Sequence, residues 1–271
     1  MADLWGGWSD PDRVRPWQPD TLANVWSTTK GMTALCAHKL FAAQEPLSEP
    51  GSAGGYHALA YSWLVGEVVR RIAGQGIREF FAEQIAGPLG ADFSIGLASD
   101  ADLDRCATLV DPVLTEEMAN ALATAFAAAG PIAQAALMNP RLQGHDANEP
   151  AWRRAVMPAL NGHGTARAIA TIYAALATLA SARESQGKEI DAVLSLPNEW
   201  GLGFYLGSDA RGFGPNPAAF GHDGLGGSTG GADPENGIAF GYTLNQLGPL
   251  IRDDPRKMAL VHALYTSLPT T

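Results

Sequence analysis

Apolar positions recur at helical spacing through the first two thirds of the chain and alternate in the last third. From Ser27 to about Gln44 the chain is rich in helix formers (Ala34, Leu35, Ala37, Leu40, Ala42, Ala43) and poor in breakers, which predicts a helix opening at the serine. Leu59, Trp63, Leu64, Val65, Val68 and Val69 predict a second helix, stopped by Gly74. A third is expected over about 77–86, carrying Phe80, Phe81 and Ile85 and broken by Gly87-Pro88. Phe93-Ser94-Ile95-Gly96-Leu97 alternates like a short strand. The alanine-rich stretch 115–138 reads as helical, interrupted by Gly130-Pro131, and 139–163 as loop. Thr165 then caps an apolar helix over roughly 166–181, with Ile169, Ile172, Tyr173, Leu176 and Leu179 along it.

The character changes after that. Trp200 to Leu206 reads as one strand, and Phe220-Gly221-His222 as the end of another. Strands from Ser228 to Gly231 and from Gly237 to Asn245 flank the turn sequence Asp233-Pro234-Glu235-Asn236-Gly237, a hairpin. Residues 254–267 form an amphipathic helix. At the other end, Trp5-Gly6-Gly7-Trp8 reads as a strand end running into a proline-bearing loop, and 45–55 as a loop rich in proline and glycine. Strands near both ends with helices between predict an α+β fold, with an antiparallel sheet built from both chain ends. The expected organisation is a single domain, 1–271, with a helical subregion about 59–181 and a sheet-forming part about 198–271.

Composition narrows the function classes. Hydrophobic residues make up 46% and charged residues 17%, a core-forming balance. The formal net charge of −10 and the absence of a Lys/Arg run argue against a nucleic-acid partner. No stretch has the length of a membrane span, and the N-terminus shows no basic region followed by an apolar run, so the expected location is cytoplasmic. Cys36 and Cys106 lie in no metal-ligand spacing, and Cys36 is expected as a buried thiol. The histidines show no paired ligand spacing either, so neither metal nor cofactor is expected. Oligomeric state is left open.

Candidate chemistry centres on Ser27-Thr28-Thr29-Lys30. On a helix, residues three apart share a face, so the Lys30 amine would point with the Ser27 hydroxyl. A serine becomes nucleophilic when a neighbour takes its proton, and an amine does so only with its pKa depressed by burial or a nearby cation. The spacing alone also fits an N-cap followed by a solvated lysine. Two further elements stand out: Tyr56-His57-Ala58 after the glycine-rich loop, and His222-Asp223-Gly224 at a strand end. Gly226-Gly227-Ser228-Thr229-Gly230 matches a nucleophile-elbow pattern, but a strand is expected after it where an elbow needs a helix, so Ser228 is read as a hairpin or pocket residue. His57 is expected to face away from Tyr56's working side, and Asp223 reads as a solvated turn residue. Trp26 is expected to pack beneath the pocket.

In this order the three elements resemble the motifs of the serine β-lactamase and penicillin-binding-protein superfamily, and above all its class C-like esterases, the family VIII carboxylesterases. Gly162-His163-Gly164-Thr165-Ala166 and Phe220-Gly221-His222-Asp223-Gly224-Leu225-Gly226-Gly227-Ser228 are similar to that family as well. The resemblance implies a β-lactamase/DD-peptidase-like fold and hydrolysis of a small ester or amide substrate. Ser27 would be the acylated nucleophile, Lys30 would help take its proton, and Tyr56 would share the base role and protonate the leaving group, its pKa lowered by the nearby ammonium. His222 stands where the lactamases have a lysine, and the strand after it would supply an oxyanion N–H near Leu225, with Gly224 beside it.

Two departures shape the expectation. The second motif of lactamases ends in asparagine, and here Ala58 stands in its place, which with His222 favours esters over penicillins. Family members also carry a strand hairpin before the Trp5 region, a long segment between the first two motifs, and more chain around Asp191-Ala192-Val193-Leu194. Only Gly31 to Gly55 separates Lys30 from Tyr56 here. Three readings therefore stand: an esterase, a weak β-lactamase or D-peptidase, and a shortened non-catalytic paralogue.

Overall fold

The computed structural model describes residues 2–40, 56–59, 61–128, 133–134, 137, 141–191, 193–194, 196–207 and 212–268, without the side chains of 35–40 and 189. The 45–55 loop, the Gly130-Pro131 break and the Cys36 thiol fall outside the described residues. Two antiparallel sheets form. The smaller has three strands, β1 (Ala23–Asn24), β2 (Phe93–Ile95) and β3 (Gly162–Gly164), with β3 in the middle. The larger has six, each paired with the next in chain order: β4 (Gly187–Ile190), β5 (Pro197–Trp200), β6 (Tyr205–Leu206), β7 (Phe220–Asp223), β8 (Thr229–Asp233) and β9 (Ile238–Tyr242).

The fold is α+β, but the large sheet is not made from both chain ends. Its described strands all lie between Gly187 and Tyr242. The N-terminal part instead gives β1 to the small sheet, pairing Ala23 with Gly164 and Asn24 with His163. Among the described residues no strand runs into Trp5; Trp8 and Pro16 make an isolated bridge.

The serine helix runs Thr29–Leu40, so Ser27 sits in the turn before it. The next helix, Tyr61–Ala73, ends at Gly74 in the left-handed region as its sequence predicts. Its Trp63 and Leu64 lie outward, 63% and 58% exposed, while Val69 is fully buried. Gly87-Pro88 does not break the third helix. Ile77–Phe81 passes through a π segment, Ala82–Ala86, and ends after Gly87–Leu89 at Gly90. The wider π turn absorbs the proline, which has no N–H to donate.

Residues 139–163 are more ordered than a loop: among the described ones are a 3-10 turn (Gly144–Asn148), a helix (Pro150–Arg154) and β3. The Thr165-capped helix is shorter than expected, Ala166–Leu176, because Leu179 turns extended and a 3-10 segment follows over Ala180–Arg183. The expected strand from Trp200 to Leu206 is two strands, split by Gly201 and by Gly203 at φ 92°. There the Leu202 N–H donates to the Ala182 carbonyl at 3.2 Å. The hairpin between β8 and β9 forms as predicted, and the C-terminal helix spans Pro255–Thr266 with an Asp254 cap.

The main core lies between the Ala166–Leu176 helix, the serine helix and the large sheet. Val25, Met32, Phe81, Ile169, Tyr173, Phe204 and Phe220 fill it. Gly230 and Gly241 bring β8 and β9 close under this helix, where a Cβ would run into Tyr173 or Ile169. Among the described residues no helix is long and apolar enough to cross a membrane, and no cluster of side chains suits a metal ion.

Candidate active site

Ser27 lies at the junction of the two sheets. The chain leaves β1 through Val25, whose N–H donates to the Gly162 carbonyl of β3 at 3.0 Å. It then turns sharply at Trp26, which takes φ 45°. A bulky residue enters that region only under strain, of about 1–3 kcal/mol. The turn is held on every side. Trp26 is buried against Leu109, Leu160, Leu244 and Leu247, and its ring meets Trp152 at 5.5 Å. The Thr28 N–H and the Ser228 hydroxyl both donate to the Val25 carbonyl, at 3.0 and 2.9 Å. Ser228 also meets the Thr28 hydroxyl at 3.1 Å, so it braces the serine turn from the sheet. A strand follows Ser228, as expected, and no elbow forms there.

Lys30 is buried with Ser27 and points at it, Nζ to Oγ 3.1 Å. Among the described residues it also hydrogen-bonds two main-chain carbonyls, Ala58 and Ala159, each at 3.1 Å. Among the same residues no carboxylate pairs with it. Burial therefore lowers its pKa to about 7, since the charged form loses its hydration without gaining an anion. The Ala159 turn is fixed from the Tyr61–Ala73 helix, where the Ser62 hydroxyl accepts the Ala159 N–H at 2.8 Å.

Tyr56 joins the pair. Lys30 Nζ stands 4.8 Å from its ring centroid, and Ser27 lies near enough to the phenol to act on its pKa. The expected lowering of this phenol by the ammonium does not occur. Burial pushes its pKa well up; the Ser27 side chain opposes that, and the charges of Asp191 and Asp223 reinforce it. Tyr56 is thus held as a phenol. His57, beside it, is exposed and faces away.

The third motif, at the end of β7, meets the first. His222 is 1% exposed and packs among Tyr205, Trp200 and Tyr56, with ring centroids 5.0, 6.1 and 6.2 Å away. Its Nδ1 lies 2.8 Å from the Asp223 carbonyl. A carbonyl only accepts, so Nδ1 carries the proton and Nε2 is bare. Nε2 is buried and has no hydrogen-bond partner among the described residues. Burial, then the charge of Lys30, lowers this imidazole to about 3. It is a neutral group where a lysine would bring a cation. Gly224 lies hard against the serine turn, since a Cβ there would meet the Val25 carbonyl and the Ser228 and Thr28 hydroxyls. Its N–H is spent on the Ser228 carbonyl at 2.8 Å, whereas the Leu225 N–H has no acceptor among the described residues.

Sequence reasoning placed Asp223 in solvent. It is 4% exposed and paired with the buried Lys257 of the C-terminal helix at 2.8 and 3.0 Å. It also missed Asp191, whose carboxylate accepts the Tyr56 N–H at 3.1 Å. Neither pairing has a local signal, because the partners lie 34 and 135 residues apart. His163, between Asn24 and the Asn161 carbonyl, is buried and lowered to about 3 by desolvation, and it braces β3.

A family model described as Beta-lactamase matches residues 1–43 and 39–264. The esterase/beta-lactamase LipL of Mycobacterium tuberculosis is 28% identical over 346 aligned residues, covering 94% of this chain and 76% of that protein. Among solved structures, a family VIII carboxylesterase superposes with a TM-score of 0.82 at 33% identity, over 98% of this chain and 88% of its own. A penicillin-binding-protein homologue from Caulobacter crescentus does so with a TM-score of 0.80 at 30% identity, over 97% and 88%.

Proposed function

The chain belongs to the beta-lactamase family and has the hydrolase fold of that family, and from this we propose that it cleaves carboxylic esters through an acyl-enzyme on Ser27. The observation that carries the reading is the buried Lys30 amine, 3.1 Å from the Ser27 hydroxyl and lowered to about 7. An unprotonated amine at that distance can accept the serine proton as Oγ attacks the ester carbonyl. The carbonyl oxygen becomes an oxyanion, met by the Leu225 N–H and the N–H of Ser27 itself. Collapse breaks the ester C–O bond. The Tyr56 phenol gives its proton to the departing alkoxide, and the Lys30 ammonium restores it. Water then attacks the acyl group by the same relay, releasing the acid and the serine.

The substrate class follows from what the site withholds. Ala58 has no side-chain amide to offer a substrate, and its main-chain carbonyl accepts from Lys30. The neutral imidazole of His222 gives no cation for a carboxylate. An uncharged acyl group is favoured over the anionic frame of a penicillin. The second reading, weak lactamase activity, is favoured by the likeness to LipL, whose description names both activities.

Turnover of p-nitrophenyl butyrate and of nitrocefin by the purified protein separates the two. The ester should be preferred by about tenfold or more in kcat/KM, and Ser27→Ala should lower its turnover by about a thousandfold or more. Faster nitrocefin turnover would overturn the ester preference, and an unimpaired Ser27→Ala would overturn the nucleophile.

A further inference from the structure

Tyr56 belongs to no helix or strand, so no regular element sets the position of its phenol. A buried carboxylate 135 residues further along the chain holds its main chain. Asp191, 1% exposed, directs Oδ1 to three backbone donors: Tyr56 at 3.1 Å, Val193 at 2.9 Å and Leu194 at 2.8 Å. Its Oδ2 accepts from the Asn198 side-chain amide at 3.3 Å. The Asp191 N–H donates to the Leu196 carbonyl at 2.9 Å, which closes the turn between β4 and β5.

The anchor is itself anchored. The Asn198 amide oxygen accepts from Arg252, whose guanidinium sits 5.1 Å over the Tyr205 ring. Tyr205 stacks on Trp200 at 4.2 Å, and Trp200 stacks on Tyr56 at 6.2 Å. The second-motif tyrosine is therefore gripped twice from the β4–β6 end of the sheet, at its backbone by Asp191 and across its ring by Trp200. A short buried carboxylate suits this work. It accepts several N–H bonds at once, and any movement of Tyr56 away from it would leave an anion without its full set of donors.

We infer that Asp191 is a positioning residue for the acylation step: by holding the Tyr56 main chain against the β4–β5 turn, it sets where the phenol stands relative to Ser27 and Lys30. The inference rests on the ester-hydrolase reading for its kinetic consequence, but not for its structural one. Alanine at 191 releases the Tyr56 N–H. Asparagine keeps an acceptor for the three N–H groups and gives up only the oxygen facing Asn198.

The test compares Asp191→Ala and Asp191→Asn, each alone and on a Tyr56→Phe background, with p-nitrophenyl butyrate as substrate and amide hydrogen exchange of the Tyr56 segment as a second readout. Asp191→Ala should lower kcat by about 10–100-fold with KM changed by less than about threefold, as a displaced proton carrier does. Asp191→Asn should recover most of that loss; if the alanine variant does not fold, Asp191→Leu, which fills the space without an acceptor, takes its place with the same expected loss. On the Tyr56→Phe background, Asp191→Ala should cost less than about threefold more, because the two residues act as a unit. Exchange at Tyr56 should quicken in Asp191→Ala whether or not the protein turns over the ester, so a silent wild type would overturn the hydrolase reading alone. An equal loss on both backgrounds, or unchanged exchange at Tyr56, would overturn the role of Asp191.

Discussion

Trp26 and Lys30 show how strain and burial prepare a single hydroxyl. The left-handed turn at Trp26 lifts Ser27 out of β1 just before the helix starts, and Ser228 and Gly224 seal the turn from the sheet. Lys30 is then buried with carbonyls and a hydroxyl as its partners, which is why its amine loses its proton near neutrality. The sign is direct. Below about 7 the amine is an ammonium and cannot act as base; above it, the amine is free. The expected pH profile of kcat/KM for an uncharged ester falls tenfold per unit below about 7 and levels above it. A profile flat from pH 8 down to 5 would remove Lys30 from the base role. This pair was legible because both residues lie one helical turn apart. The state of Tyr56 was not, because it is set first by burial, which only the assembled fold provides, and then by Asp191 and Asp223 from distant segments.

At the level of elements, the C-terminal helix is a clamp on the third motif. Lys257 pairs with Asp223, beside His222 and just before Gly224, with both side chains out of solvent, and Asp253 stands 3.5 Å from the same amine. Removing one partner strands a buried charge. Lys257→Met should destabilise the protein by about 3–5 kcal/mol, and Lys257→Met with Asp223→Leu by clearly less. Denaturant midpoints at unchanged slope would measure both; equal losses in the two would show that packing, not charge, carries the contact. Elements read from local pattern formed where local pattern decides, as in the β8–β9 hairpin and the Asp254-capped helix. They failed where tertiary contacts decide. Trp63 and Leu64 suit a buried helix face yet point outward. The stretch Trp200–Leu206 alternates like one strand but folds back at Gly203, where the chain meets the Ala182 carbonyl.

Over the whole molecule, the α+β class was legible from helical spacing giving way to alternation near Trp200, and the family from three motifs in order. The membership of the sheet was not legible, because strand pairing depends on contacts between distant segments: Ala23–Asn24 pairs with Gly162–Gly164 and not with the six-stranded sheet. That pairing sets the Val25–Ser27 turn between the small sheet and the ends of β7 and β8. The central claim is that this assembled junction makes Ser27 a nucleophile. Intact mass after incubation with a fluorophosphonate, on the wild-type chain and on Ser27→Ala, tests it most directly. The account predicts one adduct per chain in the wild type and none in Ser27→Ala. No adduct on folded wild-type protein, or an equal adduct on Ser27→Ala, would contradict it.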